Sequence, residues 1–270
     1  MFLKRFFAIV LFVVCCAAAD DYHFVNSIPF SRLSFLTTDR LGNAYVIVGN
    51  QLLQFDKNGK AVANFSKNNF GELRSVDASN PMKLMLFYPD FAQLVILNTK
   101  LAEQSIIHLR ASEINQPIVT CNSENGGYWV YDNDDDQLKK LDMNLQIQYQ
   151  SGNLTQMLSY KVQPRFLLEE DGFVYMSDPE NGIFVFDLFG TYYKLLPFKG
   201  LKTFQVIDQN ILYVRENKLL RYDSKTAIEQ EVLLPAHDSI LNARIEAKEL
   251  YLLTSDSLSF YSFFSFSELY

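Results

Sequence analysis

The chain has 270 residues, 49% of them hydrophobic, 14% aromatic and 20% charged, a composition that supplies a packed core and excludes disorder for the bulk. Its 24 basic residues stand against 31 acidic ones for a formal net charge of -7, with no Lys- or Arg-rich cluster, which excludes a binder that tracks nucleic-acid phosphates. With 11 Gly and 8 Pro there is no collagen-like or low-complexity signal.

In chain order, the first feature is a basic head at Lys4 and Arg5, an apolar run over residues 6–14 and small residues ending at Ala19. This is the layout of a secretory signal, and the run is too short for a bilayer span of about 20 residues. Cleavage after Ala19 is the expectation, which makes residues 1–19 a signal peptide. Lipidation at Cys15 or Cys16, which would tether the chain to a membrane, is the alternative, and an uncleaved anchor is the third. Removal of residues 1–19 lowers the basic count from 24 to 22 against 31 acidic residues and moves the net charge from -7 to -9. Cys121 is then the one cysteine left, so no intrachain disulfide forms. A lone Cys inside an apolar strand reads as a small buried hydrophobe rather than a nucleophile.

Residues 20–270 read as a repeat. A strand-like apolar run that ends in a small polar residue recurs at Asp56, Asn98, Asp142, Asp187, Asp223 and Ser262, at intervals of 36 to 45 residues. About ten residues before each of these ends lies a β-branched or aromatic run with period-2 character: residues 43–48, 83–88, 127–132, 172–177, 210–215 and 249–254. Turns rich in Gly, Asn and Asp, such as Gly49-Asn50 and Asn181-Gly182, join the two runs into hairpins. Further apolar stretches flank these hairpins, before them at residues 33–37, 118–121, 166–168, 204–207 and 241–245, and after them at 62–65, 106–109, 145–149, 192–196 and 231–234. Four short strands per copy make a blade, and six copies predict an all-β, six-bladed β-propeller of four-stranded antiparallel blades in a single domain. The best candidate for a long helix, residues 102–113, is interrupted by Ile106-Ile107. Ring closure is expected from residues 23–28 as the outer strand of the last blade, with residues 263–270 as the competing donor.

One acidic or amide residue opens each hairpin: Asp39, Asp77, Asn122, Glu170, Asp208 and Glu246. Six oxygens on one face would suit a hard cation, but Asp and Asn at such places bond to nearby backbone, and the turn reading is preferred. The run from Asp132 to Asp136 places carboxylates at alternate positions like a calcium loop. It carries Gln137 where the loop needs Gly and Met143 where it needs Glu, so a solvated turn is expected. His23, His108 and His237 show no metal-ligand spacing, and no HExxH, GxSxG or phosphate-binding Gly loop is present. In the third copy Trp129 and Tyr131 share one face and Tyr128 takes the other; packing between blades competes with an exposed aromatic patch. Trp129, Tyr131, Asp134 and Asp136 are therefore the candidate binding residues, with no catalytic residue, metal or cofactor assigned.

The copies resemble the NHL-type family of six-bladed propellers, in its exported bacterial form. The first blade carries the family order with Asp39, Gly42, Tyr45, Val46, Asn50, Leu52, Phe55, Asp56 and Gly59. The fourth carries it with Asp171, Gly172, Val174, Tyr175, Asp178, Asn181, Ile183, Phe186, Asp187 and Gly190. The second blade departs from it at Pro81 and Met82, the fifth at Gln209 and Asn210. The resemblance covers residues 31–262 and implies a fold rather than an activity. Propeller lactonases, as a family, hold a calcium in the central channel with Glu, Asn and Asp from inner strands; the inner strands here read as mainly apolar. The expectation is an exported, non-catalytic scaffold in the periplasm or at the outer membrane. It would bind another envelope protein or a ligand, with no nucleic acid and with membrane contact only through a lipid anchor at Cys15 or Cys16. The alternative is a lactonase-like hydrolase with a cation in the channel.

Overall fold

The computed structural model describes residues 22–30 and 35–263. The signal segment, Cys15, Cys16 and residues 264–270 lie outside the described residues.

After β1 (Tyr22–Pro29) the strands come in five sets of four and a last set of three. Blade 1 is β2 (Phe35–Thr38), β3 (Ala44–Val48), β4 (Gln51–Phe55) and β5 (Ala61–Ser66); blade 2 is β6 (Ser75–Asp77), β7 (Leu84–Tyr88), β8 (Gln93–Leu97) and β9 (Glu103–His108). Blade 3 is β10 (Pro117–Asn122), β11 (Tyr128–Asp132), β12 (Gln137–Leu141) and β13 (Ile147–Gln150); blade 4 is β14 (Phe166–Glu170), β15 (Phe173–Asp178), β16 (Gly182–Phe186) and β17 (Tyr192–Leu196). Blade 5 is β18 (Gln205–Ile207), β19 (Asn210–Arg215), β20 (Lys218–Asp223) and β21 (Ile228–Val232). The last blade is β22 (Ile240–Glu246), β23 (Glu249–Thr254) and β24 (Ser257–Phe263), completed on its outer edge by β1. All neighbouring strands within a blade are antiparallel, and the architecture is the six-bladed β-propeller expected from the repeat.

The polar residue that ends each third strand has a local cause. Asp56, Asn98, Asp142 and Asp187 each accept hydrogen bonds from the backbone N–H groups two and four residues ahead, at 2.8–3.0 Å. Such a side chain replaces the missing turn partners and aims the fourth strand back along the third. The third residue after the carboxylate or amide sits at positive φ, which Gly59 and Gly190 adopt without strain and Leu101 and Leu145 adopt despite a side chain. Gly59 has a second reason to lack one: a Cβ there would stand 2.8 Å from the Asn26 amide on β1.

Hydrophobic side chains fill the spaces between blades, one cluster per interface. Tyr45, Ile47, Leu84 and Leu86 join blades 1 and 2; Met85, Phe87, Tyr128 and Val130 join blades 2 and 3; Trp129, Tyr131, Val174 and Phe184 join blades 3 and 4. The circle closes through Val46 and Phe55 against Tyr251 and Phe260. The alternation expected at the third hairpin holds, with Trp129 and Tyr131 on one face and Tyr128 on the other. Closure by the N-terminal strand also holds: β1 pairs with β24 from Tyr22 opposite Phe263 to Pro29 opposite Ser257, with a bulge at Val25.

The outermost strand of blade 4, Tyr192–Leu196, coincides with its expected place, while two others are displaced. The fourth strand of blade 5 is Ile228–Val232 rather than 231–234, and that of blade 2 is Glu103–His108 rather than 106–109. Four of the five residues of β21 are exposed, so an edge strand carries almost no apolar signal to locate it.

Candidate functional site

The innermost strands β2, β6, β10, β14, β18 and β22 surround a central channel with a cavity of about 300 Å³. Side chains rather than a continuous sheet stitch them together. The Asn122 N–H donates to the Asp77 carboxylate at 2.6 Å, and the Gln205 side chain exchanges bonds with Ile245, donating to its carbonyl at 2.7 Å and accepting from its N–H at 3.0 Å. The Glu169 carboxylate accepts from the Trp129 indole and, at 3.0 Å, from the Glu124 N–H. These bonds join neighbouring blades around the axis.

The two ends of the channel differ. Asp77, Glu170, Asp171, Asp208 and Glu246 line it at the C-terminal ends of the inner strands. Arg74 and Arg165 line it immediately before β6 and β14, and Arg244 lies within β22. The inner strands are mainly apolar, as expected, yet charged residues at and beside their ends, Asp77, Glu170, Asp208 and Glu246 among them, line the channel together with Arg244.

Arg40 is the cation of the acidic end. Its guanidinium lies 3.0 Å from Glu170 and 3.6 Å from Glu124. Burial pushes the Glu170 carboxyl up to about 7, with Glu124 and Asp171 adding to the rise and Arg40 opposing it. Burial likewise raises the Glu246 carboxyl against the opposing charge of Arg244 and its bond from Thr38. Arg244 lies deep enough that burial pushes its guanidinium pKa down. It donates to the Phe204 carbonyl at 3.1 Å and to Thr38 Oγ1 at 3.4 Å, and no carboxylate among the described residues comes within ion-pair distance of it. Thr120, 5% exposed, also lines the channel, and its hydroxyl has no hydrogen-bond partner.

Of the six residues that open the hairpins, Asp77, Glu170, Asp208 and Glu246 line the channel. Asp39 follows the turn reading, accepting from the N–H groups of Leu41 and Asn43, the Asn43 amide and the Tyr45 hydroxyl at 2.8–2.9 Å. Asn122 is buried and donates to the Lys83 carbonyl at 3.4 Å. Among the described residues no three His, Cys, Asp or Glu side chains are grouped to hold a metal ion.

The third hairpin lies away from the channel. Trp129 and Tyr131 are both 0% exposed, so the exposed-patch reading of these two is corrected: each fills the interface between blades 3 and 4. Asp134 accepts from the Asn115 amide at 2.7 Å, and Asp136 accepts from the Tyr131 hydroxyl at 3.4 Å. The acidic run is organised instead by Lys139, whose ammonium is 3.0 Å from Asp132 and 2.6 Å from Asp135. Burial opposes charge on Lys139, but the bonds to Asp135 and Asp132 outweigh it and raise its pKa. Sequence reasoning missed Thr120, Arg74, Arg165 and Arg244. The available signal was the polar alternation Asn242, Arg244, Glu246 along β22.

No family model and no curated protein sequence matches the chain. Among solved structures it is similar to virginiamycin B lyase from Staphylococcus aureus, with a TM-score of 0.63 and 11% identity over 90% of this chain and 100% of that one. It is also similar to a streptogramin B lyase, with a TM-score of 0.57 and 17% identity over 90% of this chain and 88% of that one. The WD40 domain of Pan2 from Neurospora crassa gives a TM-score of 0.58 and 10% identity over 90% and 96%. Likenesses at these identities establish the shared propeller fold.

Proposed function

We propose that this chain is an exported, NHL-like propeller that acts without catalysis as a binding scaffold in the cell envelope, and that its binding site is the central channel. The observation that carries this reading is the pairing of a cavity with a charged group left without a counter-ion at it: the Arg244 guanidinium, which among the described residues has no carboxylate at bonding distance. Buried polar groups are normally satisfied by protein, water or ligand, and pockets with a few convergent polar groups are where small molecules bind. Export rests on the layout of residues 1–19. Mass spectrometry of the N-terminus of the cell-derived protein tests it and separates cleavage after Ala19 from lipidation at Cys15 or Cys16.

A small-molecule screen read by thermal shift, with hits mapped by NMR, tests the site. Hits that perturb the inner-strand residues support it, and hits confined to the outer strands overturn it. Co-purification of a stoichiometric envelope protein would add the scaffold role.

One observation favours the hydrolytic reading, namely the Glu170 carboxyl held near neutrality in the channel, where it could donate or accept a proton. A lactone and ester panel tests it: turnover abolished by Glu170→Gln would establish it, and no turnover across the panel would remove it.

A further inference from the structure

We propose that the channel takes an amphoteric ligand of short-peptide length, its anionic group toward the arginine end and its ammonium toward the acidic rim. The inference rests on the channel being the binding site and adds the chemical class of what it binds.

The arginines carry the first half. Arg74, Arg165 and Arg244 come from blades 2, 4 and 6, alternate members of the ring, and all three line the cavity. None has a carboxylate within ion-pair distance among the described residues, whereas Arg40 at the opposite end has two. A guanidinium offers five N–H donors in a planar fork. Arg244, which lines the cavity, uses two of its three nitrogens on Thr38 and Phe204, and the third has no hydrogen-bond partner among the described residues. Asp77, Glu170 and Glu246 influence it through space without bonding to it. Such a donor set, partly unused, suits a carboxylate or another planar oxyanion.

The rim carries the second half. Glu170, Asp171, Asp208 and Glu246 all line the same end, where Arg40 is paired with Glu170. A purely anionic ligand entering from that end would meet like charge, and a purely cationic one would meet it further in.

Spacing sets the length. At about 3.3 Å per strand residue, Arg244 precedes Glu246 by about 7 Å, Arg74 precedes Asp77 by about 10 Å and Arg165 precedes Glu170 by about 17 Å. An extended tripeptide places its terminal charges about 10 Å apart.

Titration of the purified protein with tri-alanine, its N-acetyl form, its C-terminal amide and maltotriose tests the inference. It is followed by calorimetry and by the fluorescence of Trp129, the single Trp, whose indole bonds to the channel-lining Glu169. The expected result is at least tenfold tighter binding of free tri-alanine than of either blocked form, lost at least tenfold in Arg244→Met and partly restored in Arg244→Lys. Arg74→Met, at an exposed position, serves the same purpose if Arg244→Met fails to fold. Equal affinity for the N-acetyl form would make this a plain anion site, and equal affinity for the amide a plain cation site; either overturns the proposal. Tighter binding of maltotriose overturns it too, while leaving the channel as the binding site. Silence toward all four probes also overturns it, and only the wider screen then decides whether the channel binds anything.

Discussion

The Arg40 guanidinium and the Glu170 carboxylate lie 3.0 Å apart although their residues are 130 positions apart in the chain. Blades 1 and 4 face each other in a ring of six, so this one ion pair spans the acidic mouth of the channel. Glu124, 3.6 Å from the same guanidinium, ties blade 3 to the span.

Arg40→Ala should hardly change global stability. The Arg40 side chain is 63% exposed, and ion pairs of that kind contribute about 0–1 kcal/mol. Its measurable effect is electrostatic: Arg40 opposes the rise of the Glu170 pKa, so carboxyl NMR titration should find Glu170 titrating higher in the variant than its value of about 7. A lower value would contradict the contact.

Glu170 itself should make the protein more stable in acid than near neutrality. Its folded pKa of about 7 stands above the ordinary 4.5, so its contribution is fully present below pH 4.5 and is lost as pH rises through 7. Glu170→Gln removes this dependence. Urea denaturation should show the variant more stable than the parent by about 1–3 kcal/mol above pH 7, the gap closing toward pH 4.5.

Lys139→Met should be severe. The Lys139 side chain is 6% exposed, and its partner Asp132 is 0% exposed. Removing the cation leaves Asp132 buried on the backbone N–H groups of Asn115, Gln116 and Asp134, and breaking a buried pair costs about 3–5 kcal/mol. Denaturant midpoints check this, and calcium should not rescue the variant if the run is a structural turn.

Deletion of residues 22–29 should lower the melting temperature by several degrees, at about 2–4 °C per kcal/mol for a chain of this size. The strand pairs along the whole of β24, and its Asn26 amide reaches the Asn58 and Gly59 carbonyls of blade 1 at 3.2 and 3.4 Å. Without it β24 becomes an open edge, so aggregation on heating should rise as well.

Cys121 should resist thiol reagents until the ring opens. It is fully buried between blades 3 and 4, and burial, with Asp77 and Glu169 nearby, pushes its thiol pKa up. Labelling rates measured against urea should follow the unfolding curve; rapid labelling of the native protein would contradict the burial.

Short-range physics made much of the fold legible. The polar residue after each third strand is a turn acceptor for its own next few N–H groups, so Asp56, Asn98, Asp142 and Asp187 mark the repeat in the sequence itself. Period-2 alternation separated Tyr128 from Trp129 and Tyr131 because strand geometry alone assigns their faces. Two edge strands were displaced because solvent-exposed residues leave little pattern.

The sequence by itself determined the six blades and their hairpins, since each depends on contacts within about forty residues; between residues 23–28 and 263–270 as the closing segment it left a choice, and the pairing of β1 with β24 made it. Only the tertiary structure decided which turn residues meet at the axis. Asp39 directly follows β2 and Glu246 ends β22, one place apart in the register of their hairpins, yet one folds back on its own backbone and the other lines the channel. Arg244, Thr120 and Glu170 likewise became a site only when blades 6, 3 and 4 converged. Distances between blades depend on how six packed interfaces sum around a ring, a property that no local run of residues encodes.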